Sequence, residues 1–197
     1  MNSRIQPFVL LLAFILTLTL PTSAYDFPLS PNALREAYFL GTRQPSLGAT
    51  FLAEYAHRIQ SLKAGAFTSE IRIETPFTQV AVYSSRTIGY SAQDAVKDFF
   101  GKPAEVLVYL DICYMTNAPP NAVKIKVIQN RKKITPESED RSAYYPATDE
   151  YTRMPSIGEQ IQLRFNADKI DSSALIIRID TPDGQHAETE FDLQRLR

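Results

Sequence analysis

"EVLVYLDICYM", Glu105 to Met115, is the stretch whose reading decides the fold. It is apolar at odd and even positions alike, with Asp111 its only charge after Glu105. A run of this length without alternation marks a central strand covered on both faces. The segments C-terminal to it also read as strands, but each with one wet face. "VKIKV" sets Val123, Ile125 and Val127 against Lys124 and Lys126; "QIQLRF" turns Ile161, Leu163 and Phe165 inward; "ALIIRID" does the same with Leu175, Ile177 and Ile179. "TPDGQ" then makes a turn, with Gly184 supplying positive φ, and "HAETEF" returns with Ala187, Thr189 and Phe191 facing in. Turns rather than helices separate these strands, which favours antiparallel pairing.

Working toward the N-terminus, "EIRIE" (Glu70 to Glu74) alternates strictly, and after "TPF" the segment "TQVAVYS" reads as another strand through Val80 and Val82. Between these strands and the central one, Ser91 caps a short helix bearing Ala92, Ala95, Val96 and Phe99, with Gly101 as its stop. Two further helices come first. "SPNALREAYFLG" has Ser30 as cap, Pro31 at the first position, Leu34 and Tyr38 facing the sheet, and Gly41 as terminator. A second, from Thr50 to Leu62, carries the stripe Leu52, Tyr55, Ala56, Ile59 and Leu62, with His57 pointing to solvent. The expected architecture is mainly β (α+β): an antiparallel β-sandwich, immunoglobulin-like or C2-like, with two N-terminal helices and one short inserted helix.

Residues 1–24 read as an export signal rather than as fold. Arg4 is their only charge, Phe8 to Leu20 form a short apolar core, and Thr22 and Ala24 supply small residues for cleavage between Ala24 and Tyr25. That core falls short of the roughly 20 apolar residues of a spanning helix, so no stable membrane insertion is expected after cleavage. The expected division is a signal peptide over 1–24, a helical segment over 25–66 packing on the sheet, and a sandwich domain over 67–197 with a long polar loop at 135–157. The protein is expected to be exported, periplasmic or extracellular.

Of the 197 residues, 21 are basic and 22 acidic, a formal charge of −1, which offers no electrostatic footprint for nucleic acid or an anionic membrane. Cys113, the sole cysteine, cannot form an internal disulfide and reads as a buried inert thiol. His57 and His186 supply no zinc-binding pattern, and no nucleophile elbow or phosphate loop occurs. No catalytic residue, metal site or cofactor is therefore expected. Glu137, Glu139, Asp140, Asp149 and Glu150 cluster in the long loop, and Asp168 and Asp171 bracket "KI", without the spacing of a calcium loop. Tyr144, Tyr145 and Tyr151 in that loop are the candidate binding residues, since tyrosine joins a flat apolar face to a polar tip and suits a glycan or protein partner.

The order "LSPNALREAYFLG", then "FLAEY", then "IETPF" ahead of a Val-rich segment resembles uncharacterised secreted proteins of bacterial origin. The resemblance implies export and assigns no residue a role. The leading expectation is a non-enzymatic binding or scaffolding domain. The alternatives are a secreted hydrolase using loop carboxylates, and a subunit of a cell-envelope complex docking through Leu34, Tyr38, Leu52 and Tyr55.

Overall fold

The computed structural model describes residues 27–43, 51–60, 68–118, 121–144, 156–171 and 173–196. Within them the chain is mainly antiparallel β, with three helices and two sheets. The helices are α1 (Pro31–Arg43), α2 (Pro76–Arg86) and α3 (Ala92–Phe99). The strands are β1 (Ala56–Gln60), β2 (Thr68–Glu74), β3 (Glu105–Ala118), β4 (Lys124–Gln129), β5 (Lys132–Ile134), β6 (Ser138–Tyr144), β7 (Ser156–Asn166), β8 (Leu175–Asp180) and β9 (His186–Phe191). One sheet runs β1-β2-β3-β7-β6 and the other β5-β4-β8-β9.

β3 is central, as expected, paired with β2 on one side and β7 on the other. Its even positions, from Val106 to Tyr114, are buried. They share one core with Ile71 and Ile73 of β2, Leu163 and Phe165 of β7, and Ile177 and Phe191 of the second sheet. Each such side chain contributes about 1.5–3 kcal/mol by leaving water, so this shared core anchors both sheets. The expectation that β3 is covered twice holds at Leu107, which is buried on the odd face, and fails beyond it. Tyr109 is half-buried there, and Asp111 and Cys113 are exposed. Cys113 stands opposite Gly158 on the outward side of the pleat, so the thiol is not a core residue.

Three local expectations are corrected. The proposed helix from Thr50 to Leu62 is a single 3-10 turn, Leu52–Tyr55, followed by β1, which forms a hairpin with β2 from Ala56↔Arg72 to Gln60↔Thr68. Its apolar stripe has helical period, but backbone pairing along β2 outweighs the weak helical preference of so short a segment. "TQVAVYS" is not a strand but the body of α2. "TPF" is the helix start: Thr75 Oγ1 accepts from the Thr78 N–H (3.3 Å), and Pro76 takes the first helical position. The buried set Phe77, Val80, Ala81 and Ser84 keeps helical period, which the Val80/Val82 alternation concealed. The long loop 135–157 contains β6 and the start of β7; residues 145–155 lie outside those described.

α1 also departs from expectation. It continues through Gly41 to Arg43 and rests on the other helices rather than on the sheet. Leu34 and Ala37 join Phe77, Val80, Ala81 and Ala95 in a separate small core. Gly41 is no terminator. A Cβ there would lie 2.2 Å from the Ala81 carbonyl oxygen, so the missing side chain lets α1 and α2 touch. α3 matches its expected form, with a complete Ser91–Asp94 capping box and Gly101 at φ 68° just beyond it. The helical layer is tied to the sheet by Gln79, whose Nε2 donates to the carbonyls of Glu74 (3.1 Å) and Glu105 (2.7 Å). The export signal expected over 1–24 lies outside the described residues.

Candidate functional site

The outer face of the five-stranded sheet is assembled by register. Arg72, Tyr109, Gln162 and Asp140 form one row across β2, β3, β7 and β6. Glu70, Asp111, Gln160 and Ser142 form the next. The sheet dips between these rows into a trough of about 300 Å³. Its charges are balanced locally. Arg164 Nε lies 3.6 Å from Asp140 and its Nη1 3.7 Å from Glu105, Gln160 donates to Asp111 (3.0 Å), and the Arg72 guanidinium sits 4.6 Å above the Tyr109 ring. Burial pushes the Tyr109 phenol above its usual range. Arg72 Nε lies 3.4 Å from Glu74 yet off the line a hydrogen bond needs, and it is the only buried side-chain polar atom without one among the described residues.

The inward face of β6 explains why that strand escaped notice. It carries Glu139, Arg141 and Ala143 where a strand normally carries apolar residues. Arg141 Nη1 reaches the Glu159 carboxylate (2.8 Å) and the Val123 carbonyl (2.9 Å), while Glu159 also accepts from the Val123 N–H (3.1 Å). Glu159 is almost completely buried. An inward charge on an edge strand discourages pairing with another chain, and here it is neutralised internally.

The expected carboxylate cluster does not assemble as a set of free acids. Glu137 pairs with Lys169 (2.9 Å), a hydrogen bond that holds its carboxyl below the usual range. Glu139 pairs with Arg141, and Asp140 with Arg164. Asp171 accepts from the Ser173 N–H (2.7 Å) and serves a turn. Asp149, Glu150, Tyr145 and Tyr151 lie outside the described residues, and Tyr144 is described only as the last backbone position of β6. Among the described residues, no group of three or more His, Cys, Asp or Glu could hold a metal ion.

His57 is on β1, not on a helix, and is half-buried rather than exposed. It shares a 2.8 Å hydrogen bond with Thr189 and stacks on Phe191 at 4.2 Å between ring centres, joining one edge of each sheet. Burial lowers its pKa. A cavity of about 430 Å³ beside it also meets Glu54, Glu190, Asp192 and Arg195. His186 is exposed as expected and bonds Asp180 (2.6 Å).

The helical layer carries a surface that residue-by-residue reading missed. Tyr83 meets Tyr90 at 5.0 Å and Phe99 at 6.1 Å, Tyr38 meets Phe39 at 5.2 Å, and the Tyr38 hydroxyl donates to the Tyr90 carbonyl (3.0 Å). Phe39 and Tyr83 are nearly half exposed, and Ile88 is fully so. The Arg43 guanidinium lies 5.5 Å over Phe39. The signal was present in "AYFLG" and "VYSSRTIGY", but with α2 read as a strand the two stretches had no reason to meet. Of the docking face expected through Leu34, Tyr38, Leu52 and Tyr55, Leu34 and Tyr55 are buried and Tyr38 and Leu52 are half-buried. No helix among the described residues is long and apolar enough to cross a membrane. Compared with known proteins, the sequence matches no family model and no curated protein.

Proposed function

We propose that this is an exported, non-enzymatic binding or scaffolding domain, whose two sheets face each other as a sandwich of immunoglobulin-like or C2-like shape and whose helical layer presents the partner surface. The observation that carries the reading is the run of ring contacts Phe39–Tyr38–Tyr90–Tyr83, whose outer members Phe39 and Tyr83 are nearly half exposed, with Ile88 fully exposed on the turn after α2. Exposed aromatic and aliphatic side chains held by a rigid layer are what protein interfaces use at their centres. The hydrolase alternative draws no support from Glu137, Glu139 and Asp140, each of which is already engaged by a cation.

The test compares the wild-type protein with a Tyr83→Ser/Ile88→Ser variant, both immobilised and exposed to the envelope fraction and culture fluid of the source cell. A partner retained by the wild type and lost by an equally stable variant supports the reading. A partner held equally by both, or release of products from supplied glycans or peptides, defeats it.

A further inference from the structure

We propose that the trough on the outer face of the five-stranded sheet is a second binding site, and that its ligand is a neutral oligosaccharide. This site is independent of the helical patch, because it is built on different strands and uses a different chemistry.

The trough has the dimensions of a ligand site. Its volume of about 300 Å³ falls at the lower end of the usual range, about 300–1,000 Å³. With neighbouring strands about 4.8 Å apart, the row Arg72–Tyr109–Gln162–Asp140 spans about 14 Å, and the row through Asp111 and Gln160 lies about 7 Å along the strands. A short chain of sugar rings can lie along such a surface and touch both rows.

Charge narrows the ligand. Arg72 and Arg164 face Asp111 and Asp140 in the same area, and Arg164 and Asp140 form a pair. Glu70, Glu74 and Glu105 lie on the same face, so acids outnumber arginines and a polyanion is repelled, while the pairing of those acids with Arg58, Arg72 and Arg164 leaves little field to hold a polycation. An extended peptide is also a poor fit, since peptides add to a sheet through backbone bonding at an edge rather than across the side chains of a face.

Hydrogen-bonding capacity decides among neutral ligands. The Gln162 amide and the Ser142 hydroxyl both line the trough, and neither has a hydrogen-bond partner among the described residues. The amide brings two donors and one acceptor, the hydroxyl one donor and two lone pairs, and Asp140 beside them adds carboxylate acceptors. Donors and acceptors interleaved at strand spacing complement a ligand whose every ring carries several hydroxyls, each able to donate and accept. The Arg72 guanidinium already covers one face of the Tyr109 ring, so the sugar contacts here rest on these hydrogen-bonding groups rather than on stacking against the phenol.

The experiment titrates the purified exported protein with cellohexaose, maltohexaose and chitohexaose, with hexagalacturonate as the acidic comparator. Binding is read by calorimetry and by backbone amide shifts. The expected result is saturable binding of at least one neutral hexasaccharide, with shifts centred on Arg72, Tyr109 and Gln162. Gln162→Ala should weaken it about tenfold at unchanged melting temperature, because the amide has no hydrogen bond to lose among the described residues. The Tyr83→Ser/Ile88→Ser variant should bind the sugar as the wild type does, which separates this site from the helical one. Absence of saturable binding by any neutral hexasaccharide, binding of hexagalacturonate alone, or undiminished binding by Gln162→Ala each overturns the proposal.

Discussion

Gly41 illustrates how much one missing side chain can decide. With the Ala81 carbonyl oxygen 2.2 Å from where its Cβ would be, Gly41→Ala must push α1 and α2 apart. Overpacking of this kind costs about 1–3 kcal/mol, which urea denaturation would read as a lower midpoint. Arg141 and Glu159 are just as finely matched. Arg141→Ala strands a buried carboxylate and should cost about 3–5 kcal/mol, whereas replacing both residues by leucine should recover only part of that loss, because the Val123 N–H and carbonyl then lose their partners. Equal loss in the single and double variants would mean the pair itself, not the orphaned charge, sustains the fold. His57 gives a pH signature. Burial holds its pKa below the usual 6.5, so the unfolded chain takes up a proton at a pH where the folded chain resists it. Stability should therefore fall as pH drops below about 6.5, and His57→Gln should flatten that slope in melts recorded from about pH 7.5 to 5.5. Asp180, held low by its bond to His186, adds a loss in the same direction only at more acid pH, as its carboxylate is protonated.

Elements were legible where a local pattern had one physical meaning. α3 was fully readable, because its cap, its acidic third position and its glycine stop all agree. Ser91→Ala, which removes the hydroxyl that accepts from the Asp94 N–H and leaves the backbone arm of that box in place, should cost about 1 kcal/mol by thermal melting. β8 and the second half of β7 were equally plain, with Leu175, Ile177 and Ile179 and then Ile161, Leu163 and Phe165 buried in strict alternation. α2 was misread because Thr-Pro both ends a strand and begins a helix, and because the apolar residues of "TQVAVYS" satisfy either period. β6 was missed for the opposite reason. It is polar on both faces, and its inward charges become intelligible only once Glu159, distant in sequence, is seen beside Arg141. The trough follows the same logic. Arg72, Tyr109, Gln162 and Asp140 come from four strands, and no spacing along the chain announces a row that only register creates.

For the molecule as a whole, the described start of the expected 135–157 loop is part of the sheet. Residues 138–144 are β6, hydrogen-bonded to β7 from Ser138↔Arg164 to Tyr144↔Gly158. Deleting residues 138–144 should expose a long, apolar-faced β7 edge, and size-exclusion chromatography should report aggregates instead of a monomer peak. A monomer of unchanged stability would show that β7 tolerates the vacancy. Cys113 has a different value at this scale. A unique thiol, open to solvent and two positions along β3 from Asp111, is a ready-made attachment point for an environment-sensitive dye. A maleimide fluorophore would react once per chain, with no cysteine engineering, and would report occupancy of the neighbouring concavity through its emission colour.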